Sequence, residues 1–425
     1  MRSLSDMNRS LATAVVVAGS VLCSALTMPT ARAAEPISIG VIAPESHVLG
    51  KSIFNAAELA ADEINKAGGI NGRMLELHKY NNNFSAADSS RAFQRAVQQD
   101  GVVAMMGIFT SEVALAMMPW ASRLQTPLLV TGAASSEIPA GVKANPERYK
   151  YVFHSYVNSA ILAQESCIVA NATLTQSDKF KGFNRAVIFS EDAAWTKPVD
   201  EAYQKCLPKV GMKVVDHIRF SPDTTDFTPI YSRIKKADAN VIMAAVAHVG
   251  VKPVIQWQQQ EVPALFSGIN GQAGSSKFWA ATNGATEGVI TGTPGLNGAP
   301  LTDKTPAFFK AYSKRFNIGE PAYDAYTTYD AMYALKDALT RSGGGDDSDK
   351  LVKALEQTDI TGVLGRVAFH GTDDEYAHEV IFNQDPTKGQ SFVAFQWQDG
   401  KQVIIWPEKL AKGEIRLPAF VGQSQ

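Results

Sequence analysis

Residues 107–137 read GIFTSEVALAMMPWASRLQTPLLVTGAASSE. The stretch opens at the end of a buried strand, turns through polar Thr110 and Ser111, runs on as a helix and enters a second strand at 127–131. That strand ends in the small, polar turn 132–136. Two consecutive strands therefore bring hydroxyls and free backbone N–H groups to one edge of a sheet. In open α/β sheets ligands sit at that carboxyl edge, because helix N-termini offer unpaired donors to an anionic or polar group. The stretch predicts a small-molecule site.

The chain on either side repeats this pattern. Residues 37–43, ISIGVIA, form a short apolar run suited to a central parallel strand, and its exit carries polar residues through His47. Helical spacing follows at Ile53, Ala57, Ala60 and Ile64, stopped by Gly68-Gly69. A strand at 74–80, a helix at 86–98 and a strand at 102–106 lead back to the opening stretch. Strands then alternate with helices again over 151–270. One strand exit ends at Trp195, another near Ala247 and His248, and a third at Asn270. Alternation of this kind specifies a doubly wound, largely parallel sheet. Its recurrence predicts an α/β protein of two such lobes, with polar turns facing a shared cleft.

The last third carries a strand at 288–293, helices at 306–316, 323–342 and 348–355, and alternating strands from 365 onward. Segments returning after both lobes are complete would cross between them several times and make a hinge. The expected division is a signal peptide at 1–34, a first lobe at 35–154 and 290–362, a second at 155–289 and 363–400, and a terminal strand and tail at 401–425.

The chain has 425 residues, 45% hydrophobic and 19% charged, with a formal net charge of −2. These values fit a soluble globular protein, and the absence of any Lys/Arg run gives no case for nucleic acid. Arg2 and Arg9 precede an apolar stretch at 11–26, then Pro29 and Ala31-Arg32-Ala33-Ala34. That order is a secretory signal cleaved after Ala33 or Ala34, and it predicts a periplasmic protein. Two cysteines remain after cleavage, Cys167 and Cys206. An even count in an exported protein points to a disulfide, with two buried thiols as the alternative.

Catalytic patterns are missing. The chain holds no G-x-S-x-G, H-E-x-x-H or phosphate-binding G-x-x-x-x-G-K-[ST], and no paired-cysteine metal spacing. The reading is therefore not an enzyme, with no cofactor and no metal. Residues 370–378 gather His370, Asp373, Asp374, Glu375 and His378, which read as a solvated hairpin turn rather than a metal site. Tyr326, Tyr329 and Tyr333 recur at helical spacing and read as packing. Phe109 and Trp195 lie at strand exits instead, and Trp195 is the candidate lid over a ligand. His248, at another exit, is a candidate contact.

Several runs resemble the leucine/isoleucine/valine-type solute-binding proteins of ATP-driven importers. They are IGVIAPESHVLGKSIFNAAELAADEINKAGGINGRMLELHKYNNN with its ADEIN-x-x-GGI-x-G core, GIFTSE, TGAASS, AYTTYDAMYALKDAL and IIWP. The resemblance spans nearly all of the mature chain. It implies two lobes joined by three crossings, closing on a ligand that a monomeric carrier delivers to a membrane permease. By the same resemblance Ser111, Ala133 and Ser135 hold a ligand carboxylate, beside Phe109 and Thr110, and Trp195 covers it. Amino-acid binders of the family usually place an acid where this chain has Asn270, and often a tyrosine at Leu49 and at Ala247 or His248. An ammonium buried without a carboxylate costs several kcal/mol. The expected ligand is therefore a carboxylate or amide with an apolar or aromatic body. A ligand-sensing subunit of a signalling receptor is the alternative role, discriminated only by the membrane partner.

Overall fold

ISIGVIA folds as strand β1 (Ile37–Ala43), buried almost throughout. A strand with both faces buried needs cover on both sides. That cover comes from α1 (Val48–Lys66), α2 (Ala86–Gln98) and α3 (Ser111–Leu124), which alternate with β2 (Leu75–Asn81), β3 (Ala104–Gly107) and β4 (Leu128–Val130). Short helices α4 (Glu137–Ala144) and α5 (Pro146–Tyr149) lead to β5 (Val152–His154). The sheet order is β2-β1-β3-β4-β5, every pair parallel. All five strands therefore end at one edge. This computed structural model describes residues 35–422, and the expected signal segment at 1–34 lies outside them.

The turn after α1 shows why glycine stands there. Gly69 has φ +75°, and a Cβ on it would lie 2.2 Å from the Arg73 carbonyl oxygen. Only glycine takes both the left-handed conformation and the close backbone approach at no cost.

The second lobe begins with α6 (Ser159–Ala170). It continues through β6 (Arg185–Glu191), α7 (Thr196–Cys206), β7 (Lys213–Phe220), α8 (Thr228–Lys236), β8 (Val241–Val246), α9 (Lys252–Gln259) and β9 (Leu265–Asn270). Its strands run parallel in the order β7-β6-β8-β9. Cys167 and Cys206 form a disulfide with Cα atoms 6.1 Å apart, tying α6 to the end of α7.

The final third departs from the expected lobe boundaries. After α10 (Lys277–Ala281), strand β10 (Ile290–Thr293) lies beside β9, where Thr291 Oγ1 accepts from Asn270 N–H at 2.9 Å. It therefore belongs with the second lobe, not the first. Helices α11 (Lys304–Phe316), α12 (Asp324–Ser342) and α13 (Ser348–Glu356) return to the first lobe. There α12 packs along α1, and the Tyr333 hydroxyl donates to Glu63 at 3.0 Å. Residues 363–382, expected in the second lobe, also lie with the first. After the hairpin β11 (Asp359–Thr361) and β12 (Arg366–Ala368), Val380 N–H donates to the His154 carbonyl and His154 N–H to the His378 carbonyl, both at 2.8 Å. The segment thereby completes the edge at β5.

Strands β13 (Val393–Gln398) and β14 (Lys401–Trp406) then join β10 in an antiparallel sheet on the second lobe. The strand expected in the terminal stretch 401–425 is β14, and it joins the second lobe's sheet rather than standing apart. The chain passes between lobes three times, after β5, after β10 and before β13. Among the described residues no helix is long and apolar enough to cross a membrane.

The turn expected at 370–378 is a hairpin closed by Phe369 and Val380, but it is not wholly solvated. His378 is fully buried, stacked on Phe153 at 4.3 Å, with Nδ1 3.0 Å from the Val152 carbonyl oxygen. Its place is structural. No group of three potential metal ligands occurs among the described residues.

Candidate functional site

The exit of β3 is strained in the way binding turns often are. Gly107 has φ +112° and Ile108 has φ +63°. A β-branched residue in the left-handed region costs on the order of 1–2 kcal/mol and persists only where its surroundings impose it. Those surroundings are the Ile42 carbonyl, which accepts from Ile108 N–H at 2.9 Å, and Ala133 N–H, which donates to the Ile108 carbonyl at 3.0 Å. The reversal turns Phe109 toward the cleft and starts α3 at Ser111, with Thr110 at the cap position making no side-chain cap bond. The first N–H groups of α3, which have no partners within the helix, stay available at this edge.

A cavity between the lobes is lined by Phe109, Ser111, Gly132 and Tyr323 from the first and Trp195, Ala247 and His248 from the second, with Tyr156 at the first crossing among the remainder. Its walls are largely aromatic. Phe109 packs edge-on to His248 across the cleft, with ring centroids 5.0 Å apart, and stacks on His47 at 5.3 Å. Tyr156 stacks on Tyr323 at 4.7 Å, and the Tyr323 hydroxyl donates to the Gly132 carbonyl at 2.7 Å. The cavity leaves ≈ 30 Å³ for the centre of a water-sized sphere, whereas small-molecule pockets run to roughly 300–1,000 Å³. The lobes stand drawn together, so an organic ligand enters only if they part.

Glu191, at the end of β6, organises the second lobe's wall. Fully buried, it accepts from the Trp195 indole N–H at 3.0 Å, from His248 N–H at 2.9 Å and from Val249 N–H at 3.1 Å, and pairs with His248 Nδ1 at 2.7 Å. Burial pushes its carboxyl up, but the His248 charge and these hydrogen bonds prevail and hold it below the usual range. Burial likewise pulls His248 down, and the Glu191 carboxylate outweighs it and raises the imidazole. His47 has no such partner. Burial, reinforced by the charge of His248, lowers it to about 4, so it is neutral at pH 7.

No carboxylate lines the wall that an ammonium entering this cavity would meet. Glu191 is saturated with donors, and Glu112 accepts from Ala194 N–H at 2.6 Å. Asp324 lies behind Gly132, where a Cβ would meet its Oδ2 at 3.3 Å. It is fully buried, and burial holds its carboxyl well above the usual range, favouring the neutral form. Donors for an anion are present in Ser111, the N-terminus of α3 and His248.

The sequence-derived candidates divide. Phe109, Ser111, Trp195, Ala247 and His248 come together on the cavity wall. Ser135 lies just behind it, fully buried, donating its N–H to Ser111 Oγ at 3.2 Å. Ala133 spends its N–H on Ile108 and its carbonyl on His154 Nε2, at 2.6 Å. Neither residue offers a free backbone donor, because the turn satisfies its own groups. Thr110 stands at the cap position of α3, next to Ser111, without a side-chain bond to the helix. Leu49 is fully buried on α1, in the core rather than on the wall. Asn270 is nearly buried and turns its Oδ1 to Ala273 N–H at 3.2 Å, while its neighbours Ile269 and Gly271 line the space. Sequence reasoning missed His47, Tyr156, Glu191 and Tyr323. His47 and Tyr156 follow strand exits, the position that singled out Phe109 and Trp195. Glu191 too ends a strand, at the exit of β6, whereas Tyr323 carries no local signal.

Comparison with known proteins gives a consistent picture. A family model described as "Periplasmic binding protein" matches residues 36–390. The Leu/Ile/Val-binding protein homolog 3 of Brucella melitensis is 25% identical over 375 residues, covering 86% of this chain and 93% of its own. A branched-chain amino acid ABC transporter protein from Silicibacter pomeroyi superposes with a TM-score of 0.75 at 20% identity, covering 91% of this chain and all of its own. A solute-binding protein from R. palustris solved with benzoate gives 0.73 at 17% identity, covering 92% of this chain and all of its own. The substrate-binding protein LivJ of Streptococcus pneumoniae, solved with isoleucine, gives 0.73 at 20% identity, covering 88% and 100%.

Proposed function

The chain belongs to the periplasmic binding protein family, and from that premise we propose that it is the substrate-binding component of an ABC importer. It captures a small organic acid or amide with an apolar or aromatic body between its lobes, as a periplasmic monomer, and hands it to a membrane permease. The observation that carries the ligand class is the charge pattern of the cleft. Aromatic walls meet a hydroxyl and a helix N-terminus at Ser111, while each nearby carboxyl is saturated, paired or buried behind the wall.

Energetics favour the same class. A micromolar complex has about 8 kcal/mol of net binding energy, and an unpaired buried ammonium would consume several of these. A carboxylate is met by α3's free N–H groups, each charge-assisted bond contributing about 1.5–3 kcal/mol. The relatives named for leucine, isoleucine and valine and the neighbour solved with benzoate both support a small carboxylate as cargo.

Calorimetric titration with leucine, valine, benzoate, 4-hydroxybenzoate and hexanoate tests this reading. At least one of the amine-free acids is expected to bind about tenfold or more tighter than either amino acid. Leucine or valine binding tighter than every acid would overturn the ligand class. Heat from none of the five would remove the support for a carboxylate site.

A further inference from the structure

Glu112 stands in the first turn of α3, one residue beyond the cavity-lining Ser111. Acidic side chains at that place commonly turn back onto their own helix's free N–H groups. This one reaches across the cleft instead, accepting from the N–H of Ala194 at 2.6 Å. Ala194 belongs to the loop between β6 and α7 and directly precedes Trp195. Glu191 already holds that loop through the Trp195 indole N–H. The lid is therefore gripped from its own lobe by Glu191 and from the opposite lobe by Glu112.

Away from the lid, Ser276 N–H of the second lobe donates to the Glu320 carbonyl between α11 and α12 at 3.0 Å; the contacts beside the lid are weaker or nondirectional. Phe109 meets His248 edge-on, and Gln272 Nε2 lies 3.5 Å from His47 Nε2, at the outer limit of a hydrogen bond. Since Glu112 serves the lid loop, the N-terminus of α3 keeps its donors for a ligand.

We propose that Glu112 is a closure latch: the hydrogen bond from Ala194 N–H to its carboxylate draws the lid loop onto the first lobe and sets how much of the protein is closed before any ligand arrives. The proposal rests on the cleft being the binding site, but it concerns an equilibrium that exists without ligand. A latch of this kind raises apparent affinity by populating the competent state, with no contact to the ligand itself.

Spin labels on Arg91→Cys in the first lobe and Lys236→Cys in the second report the distance between lobes by pulsed electron resonance, with the native disulfide intact and no ligand added. The parent chain is expected to show a short-distance population. Glu112→Ala should lower its closed-to-open ratio about three- to tenfold, below the roughly 10- to 100-fold of a buried charge-assisted bond because solvent screens the exposed carboxylate. Glu112→Gln keeps an acceptor oxygen and should fall between the two. Because Glu112 is exposed, melting temperature should hardly move, which separates a latch from a general loss of structure. A Glu112→Ala distribution superimposable on the parent's, or a parent wholly open, would overturn the latch. Failure of every tested acid to bind would instead strike the proposed ligand and leave this result standing.

Discussion

Ser111 is the residue on which the proposed anion site turns. Its Oγ accepts from Ser135 N–H and so couples the two turns at the ends of β3 and β4. Ser111→Ala removes a hydroxyl facing the cavity and leaves a buried N–H without its acceptor. Affinity for the preferred acid should fall about 10- to 100-fold, the range for one charge-assisted bond, while the melting curve shows a loss of about 1–3 kcal/mol. His47 makes a second prediction, from its lowered imidazole. A histidine whose folded value lies below its unfolded 6.5 takes up a proton on unfolding, so its contribution is fully present above pH 6.5 and is lost as pH falls toward about 4. Denaturant titrations should show stability falling more steeply between pH 6.5 and 4 in the parent than in His47→Gln, by up to about 3 kcal/mol. Equal slopes would contradict the assignment. Only the difference is diagnostic, because Glu165 and Asp330, each raised to about 7 by burial, pull the other way in both chains.

Turns and ties carry the argument at the scale of elements. Gly107 joins β3 to the reversal at Ile108, and a Cβ on it would stand 2.3 Å from the Ile42 carbonyl oxygen at φ +112°. Gly107→Ala should therefore destabilise the first lobe by about 2–3 kcal/mol or more and abolish binding, seen as a lowered melting midpoint and no calorimetric heat. The disulfide joins residues separated by 39 positions, and the chain-entropy model gives such a loop about 4 kcal/mol. Reducing it, or replacing both cysteines by serine, should lower the melting temperature by several degrees and expose the second lobe to proteolysis first. The parallel units were legible in the sequence because their central strands are short apolar runs followed by helical periodicity, as in residues 37–69, where a glycine pair ends the helix. The three-stranded antiparallel unit was not. Ile290–Thr293, Val393–Gln398 and Lys401–Trp406 are separated by up to a hundred residues, and alternation alone does not say which edge a returning strand joins. That ambiguity misplaced both lobe boundaries.

For the molecule as a whole, the proposed function depends on residues from two sheets meeting in one space. Phe109 and Ser111, with Trp195 and His248, could be named from the sequence as candidates because strand exits in an α/β lobe are where ligands sit, and the fold brings these four to one cavity. Tyr323 could not be found that way, since it precedes a helix and reaches the cavity only through the second crossing and the packing of α12 on α1. Glu191 stands at the exit of β6, but its role was hidden because its side-chain partners, Trp195, His248 and Val249, come from its own loop and a neighbouring turn. The distribution of charge across these groups, with Glu112 and Glu191 hydrogen-bonded and the helix donors free, is a property of the assembled pair of lobes. A crystal structure of the chain grown with its tightest-binding acid tests the account most directly. The account predicts one molecule enclosed between the lobes, its carboxylate within roughly 2.7–3.2 Å of Ser111 Oγ and the first N–H groups of α3, and its body between Phe109 and Trp195. An acid bound on the outer face of one lobe, or touching Ser111 but leaving Trp195 in solvent, would contradict it.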